Sequence, residues 1–163
     1  MLLFLRQLIL TTLLLTTLHP LVMAKQLTVG WLEEVAIGDS GFQIEAKIDT
    51  GADNSSINAT RTQTYTKAGK QWIKFTIQNE NGRVLKIDRP ILKTTEVKTK
   101  SGGLQQRAVI ELELCVGTIQ KLAEVNLVDR SHFKYQLLIG RSFLSPEFLV
   151  DPAKEFSIGP KCK

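Results

Sequence analysis

The 163-residue chain is 43% hydrophobic and 23% charged, with a net charge of +5; this composition suits one globular domain and excludes a wholly disordered chain. It is too short for two sizeable cores, and no repeat at solenoid spacing runs through it. The mild basic excess favours solubility and weak contact with acidic surfaces, and does not make a nucleic-acid-binding protein.

Residues 1–24 differ from the rest, with ten leucines, one arginine (Arg6) and no acid. Without them, 139 residues remain, carrying 20 Lys+Arg against 16 Asp+Glu, a net +4. The basic start, the apolar run Leu8 to Leu18, the break at His19-Pro20 and the small residues Val22 and Ala24 describe a secretory signal peptide cleaved after Ala24. The rival reading is a retained anchor, but an 11-residue run falls well short of the roughly 20 residues a spanning helix needs. No cysteine follows closely enough for a lipoprotein anchor. Residues 25–163 are then expected to form a single exported domain.

That segment reads as β throughout. Trp31 to Ile37 and Phe42 to Ile48 flank the turn Gly38-Asp39-Ser40-Gly41, a hairpin signal. Trp72 to Gln78 and Arg83 to Ile87 repeat the pattern around Asn79 to Gly82. Pro90 confines the next stretch to an edge or loop. Glu96 to Lys100 and Arg107 to Val116 form a third hairpin around Ser101-Gly102-Gly103, and Ile119 to Val128 follows the turn at Gly117. One short helix is expected over Arg141 to Phe148, limited by Pro146, and a last strand over Glu155 to Ile158. Short strands at such intervals predict an all-β sandwich or closed barrel.

Cys115 ends the alternating run from Ile110, and Cys162 is the penultimate residue. In an oxidising compartment two cysteines suggest one bridge; two free thiols are the alternative.

The stretch with chemistry in it is Ile44 to Asp53. An alternating strand ends at Asp49, then Thr50, Gly51, Ala52 and Asp53 follow. Such a sequence can set a carboxylate at a tight turn just outside a sheet, with Gly51 permitting close backbone approach and Thr50 able to brace the loop through its hydroxyl. One carboxylate does little at neutral pH. Two side by side share a proton, so that one activates water while the other stabilises a carbonyl oxygen. The chain has one Asp-Thr-Gly, so a second copy must supply the partner, which predicts a two-fold homodimer with its site on the axis.

Asp49-Thr50-Gly51-Ala52-Asp53 resembles the active-site loop of retropepsins, the dimeric aspartic proteases of retroviruses. Leu137-Leu138-Ile139-Gly140-Arg141 resembles the segment that passes behind that loop before a short helix, here starting at Ser142-Phe143-Leu144. The resemblance implies a closed barrel with one short C-terminal helix, catalysis by Asp49, an Asp53–Arg141 ion pair, and a flap at Ser101, Gly102, Gly103 and Leu104. It spans about Phe42 to Leu144. Two departures stand out: Asp49 and Gly140 are 91 positions apart, longer than in a compact retroviral enzyme, and Lys98, Lys100 and Gln105 make the flap polar, whereas a flap must exclude water. The chain also resembles the bacterial retropepsin-like group labelled "ATP-dependent zinc protease", through Gly30-Trp31, Lys47 to Ala52, Leu138 to Leu144 and Val150-Asp151-Pro152. With the leader cleaved after Ala24, the expectation is an exported protein in the periplasm of a Gram-negative bacterium.

The label's own chemistry is not expected. After the leader there is one histidine, His132, with no His-Glu-x-x-His pair and no Gly-x-x-x-x-Gly-Lys-Ser/Thr loop. Neither zinc nor ATP, and no other cofactor, is predicted. Gly38-Asp39-Ser40-Gly41 is a hairpin turn rather than a nucleophile loop, because a serine triad needs a supported histidine base. His132 is expected in an exposed loop, Trp31 and Trp72 in strand packing, and Lys67, Lys70 and Lys74 on a solvated face.

Two functions follow. One is a homodimeric aspartic endopeptidase acting on peptide or protein; the other is a catalytically silent retropepsin-like module that binds a peptide or serves a partner in the envelope.

Overall fold

Alternation of buried and exposed residues marks several strands of the computed structural model, which describes residues 25–98 and 102–162. The leader, its cleavage point, Lys100 and Ser101 lie outside the described residues.

In chain order the strands are β1 (Leu27–Ile37), β2 (Phe42–Ile48), β3 (Ser55–Asn58), β4 (Thr60–Lys67), β5 (Lys70–Gln78), β6 (Val84–Pro90), β7 (Lys93–Lys98), β8 (Leu104–Val116), β9 (Ile119–Val128), β10 (Leu137–Ile139) and β11 (Phe148–Glu155). The α-helix α1 covers Arg141–Leu144. β2 shows the rule clearly: Phe42, Ile44, Ala46 and Ile48 are buried while Gln43, Glu45 and Lys47 point away, the two-residue period of a strand with one face on the core. The β1–β2 turn ends on Gly41 at φ +63°, a left-handed conformation that favours glycine.

Eight strands form one sheet in the order β11-β1-β2-β10-β3-β9-β8-β7, and β4-β5-β6 form a second. A further β1–β8 pairing, Ala36 with Cys115 and Ile37 with Leu114, closes the large sheet on itself. The fold is all-β and retropepsin-like. The expected barrel is closed only along this two-pair seam. Ile73, Phe75, Ile77 and Ile87 of the small sheet join the same apolar core as Ile44, Leu112, Val125 and Phe143.

The expected C-terminal elements need correction. The helix stops at Leu144 because Pro146 cannot continue it. Phe148, expected inside the helix, opens β11, which runs parallel to β1 from Leu27↔Phe148. Glu155 ends that strand rather than beginning one, and the chain beyond it is fixed by other means. Glu33, buried on β1, accepts hydrogen bonds from Gly30 N (2.6 Å), Ser157 N (3.1 Å), Ser157 Oγ (2.5 Å) and Ile158 N (3.1 Å). Cys115 and Cys162 are joined by a disulfide.

Candidate active site

Asp49 sits one residue beyond β2, and its amide extends the sheet by donating to Ile139 O of β10 at 2.9 Å. β10 lies between β2, to which it is parallel, and β3, to which it is antiparallel. The loop 49–54 therefore leaves one neighbour of β10 and returns along the other. The chain leaving β10 passes directly behind that loop. Arg141 N donates to Ala52 O and Ser142 N to Asp53 O, both at 2.9 Å, and Gly140 N donates to Ser55 Oγ at 3.2 Å. Gly140 has no room for a side chain: a β-carbon would stand 2.6 Å from Asp53 O and from the Asn54 carbonyl carbon.

Within the loop, Asp49 Oδ1 accepts from Gly51 N at 3.0 Å, and Oδ2 is 3.9 Å from Lys47 Nζ. The Asp49 side chain keeps 28% of its exposure, so its carboxylate is oriented by the backbone yet reachable. A β-carbon on Gly51 would lie 3.2 Å from Asp49 Oδ1, which explains a small residue there. Ala52 is half-buried. Thr50 is exposed and contributes its carbonyl, which accepts from Arg141 Nη1 at 2.9 Å; the hydroxyl that braces the turn belongs to Ser55. Arg141 Nη2 is 3.4 Å from Asp53 Oδ1, with the two side chains 51% and 76% exposed. Leu138 is half-buried between paired neighbours, and Ile139 is fully buried. The structure thus brings together Asp49 to Asp53 with Leu138 to Arg141.

The residues expected to form a flap lie apart from this loop in sequence, at the end of the β7–β8 hairpin, where Lys98 pairs with Leu104. Gly102 and Gly103 are exposed, Gly102 at φ +85°, and Leu104 is 64% exposed.

Three residues that sequence reasoning passed over join the site. Asn126 of β9, 7% exposed, accepts from Thr95 Oγ1 of β7 at 3.1 Å and donates to Ser55 O at 3.2 Å, linking the flap strand to the loop's support. Arg130 is anchored by Ser56 Oγ (Nη1, 3.2 Å) and Tyr135 O (Nε, 3.2 Å). Burial and then the Arg107 charge lower the Arg130 pKa, and the Asp49 carboxylate opposes them. Burial likewise lowers that of Arg107, whose guanidinium holds Gln105 Oε1 at 2.8 and 2.9 Å. Arg130 thus belongs to the electrostatic surroundings of Asp49, and Arg107 to those of Arg130. An arginine in a polar loop carries no sequence pattern that announces this. Among the described residues no group of three or more His, Cys, Asp or Glu could hold a metal ion, and His132 is exposed.

This geometry agrees with what the chain is similar to. The family described as "Retropepsin-like aspartic endopeptidase RimB" matches residues 28–161. The chain belongs to the RimB-like family. A solved structure from Legionella pneumophila, of a protein with unknown function (DUF785), superposes with a TM-score of 0.69 at 27% identity, covering 80% of this RimB-like chain and 96% of that one. Proteins named "Probable alpha-L-glutamate ligase" are also similar. That of Shewanella halifaxensis is 30% identical over 119 residues (71% of this chain, 26% of its own length), and that of Parasynechococcus marenigrum is 29% identical over 141 residues (84% and 30%). The chain therefore spans only about a quarter to a third of the ligases it matches.

Proposed function

We propose that this chain is an aspartic endopeptidase whose site forms between two copies, each contributing Asp49. The observation that carries the reading is the loop itself: a partly exposed carboxylate at the end of β2, oriented by Gly51 N and strapped from behind by Gly140 to Ser142. Across a two-fold axis the paired carboxylates hold one proton. The ionised member takes a proton from a water that attacks the peptide carbonyl; the protonated member donates to the carbonyl oxygen. Collapse of the tetrahedral adduct breaks the C–N bond, with the amine leaving protonated. Asp53 and Arg141 brace the loop, and the β7–β8 hairpin covers the substrate. No metal, ATP or other cofactor enters. We propose the periplasm as the place of this activity, on the leader-like composition of residues 1–24.

Arg130, anchored on Ser56 and interacting with the Asp49 carboxylate, favours an acid-rich peptide, since a fixed cation near the cleavage site stabilises a carboxylate side chain bound beside it. The glutamate in the ligases' names supports the same substrate class. One observation favours a second reading. The Arg130 cation equally suits a module that binds acidic peptide without cutting it.

The experiment is cleavage of glutamate-rich and neutral peptide libraries by residues 25–163 and by D49N across pH, read by mass spectrometry with sedimentation on the same samples. Cleavage that tracks the dimer and disappears in D49N supports the endopeptidase. Binding without cleavage, unchanged in D49N, overturns it in favour of the module.

A further inference from the structure

The charge of this protein is not spread evenly. Residues 60–90 hold seven Lys+Arg against two Asp+Glu, a net +5 equal to that of the whole chain, so everything outside them is neutral in sum. These residues are the small sheet β4-β5-β6. Its inner face spends Ile73, Phe75, Ile77 and Ile87 on the core. Its outer face follows from the register. Lys67 faces Lys70, Tyr65 faces Trp72, Lys74 faces Asp88, and Thr76 faces Lys86. Directly opposed residues share a side of the sheet, so four exposed lysines surround the half-buried Tyr65 and Trp72. Arg61 lines an open depression of about 330 Å³ with Lys74 and Lys86. The single acid on this face, Asp88, is engaged by the Tyr65 hydroxyl at 2.8 and 2.9 Å.

We infer that this face is a docking surface for a membrane bearing anionic phospholipids. Charge complementarity requires an anionic partner, and three observations choose among anions. Lys67 Nζ stands 4.5 Å from the Trp72 ring centroid and Lys74 Nζ 4.9 Å from that of Tyr65, so the ring faces are already covered and give a nucleobase nowhere to stack. The cations are mostly lysines, which are depleted from protein–protein interfaces but suit a fluid array of headgroups, which needs long, flexible point charges and no fixed fork. Tyr and Trp with a polar rim are also the side chains that settle at headgroup depth.

The test uses residues 25–163, which contain every strand and both cysteines, in co-sedimentation with vesicles of phosphatidylcholine alone or with about 30% phosphatidylglycerol. Binding is expected only to the anionic vesicles, falling at least about tenfold between about 50 and 200 mM salt. The charge-reversed variant K70E/K74E/K86E should lose it and K70R/K74R/K86R should keep it. Equal binding to both vesicles overturns the inference, as does unchanged binding by the charge-reversed variant. So does tighter binding, at the same salt, of a single-stranded oligonucleotide or an acidic polypeptide that the charge-reversed variant loses. If circular dichroism shows the reversed variant unfolded, the arginine variant and the salt dependence of the unmodified chain still decide.

Discussion

The α-carbon of Gly140 is pressed against the Asp53 carbonyl, where a β-carbon would stand only 2.6 Å away. Backbone, rather than a flexible side chain, fills that space, so neither partner can yield without moving the loop that carries Asp49. G140A should destabilise the fold by about 1–3 kcal/mol, the usual cost of forcing a methyl into a packed site. Urea unfolding should show a lower midpoint at unchanged slope. An unchanged midpoint would mean that the corner relaxes freely.

Much of this corner was legible in the sequence. Asp49 to Asp53 and Leu138 to Arg141 carry residue types whose chemistry is local, and the hairpins around Gly41, Gly82 and Gly102 carry turn signals. β3 was not legible. Ser55, Ser56, Ile57 and Asn58 are all buried, because strands flank them on both sides, and three of the four are polar. Their burial is tolerated because Ser55 Oγ meets Gly140 N, Ser56 Oγ meets Arg130, and Asn58 meets Gln136 and Arg130 N. Those partners are 74 to 85 residues away for the two serines, beyond any local pattern. The β11 error has the same origin: Phe148 is apolar at a spacing that suits a helix, and pairing with β1 decides otherwise.

Asn126 makes a testable bridge between the flap strand and the loop. Its buried amide satisfies both Thr95 Oγ1 and Ser55 O. N126A removes two hydrogen bonds and leaves a buried carbonyl without its partner, so a loss of about 1–3 kcal/mol is expected. T95V in the same background should add little, since the shared bond is already gone. Full additivity in this double-mutant cycle would show that the two residues are not coupled.

Glu33 and the disulfide hold one segment by different means. Closing 47 residues between Cys115 and Cys162 stabilises the fold by about 4 kcal/mol in the chain-entropy model. Glu33 orders Ser157 and Ile158 inside the same closed loop. E33A strands the backbone donors of Ser157 and Ile158, while Gly30 N keeps Ser157 Oγ at 3.0 Å, and a cost on the order of 2 kcal/mol is expected. The two effects should be less than additive, because the tail released by reduction no longer presents Ser157 and Ile158 to Glu33. Urea midpoints of the unmodified chain and E33A, each with and without reductant, measure this. Strict additivity would refute a shared segment.

Glu45 contributes one part of the expected pH response. Burial first, then the neighbouring Glu80, raise its pKa, with Glu34 and Glu155 adding and Lys134 opposing. Between its unfolded and folded pKa values the folded chain holds more protons, so stability falls as pH rises through that window. Below the unfolded value the carboxyl is neutral in both states and no penalty remains. E45Q removes the charge, so it should be more stable than the parent at pH 7 and equal to it near about pH 3, below the ordinary carboxyl range. Glu45 is largely solvated, so the gain should amount to a few tenths of a kcal/mol. Thermal unfolding of both proteins at the two pH values measures it. A stabilisation that persists at the acid end would point to packing of the amide rather than to the removed charge.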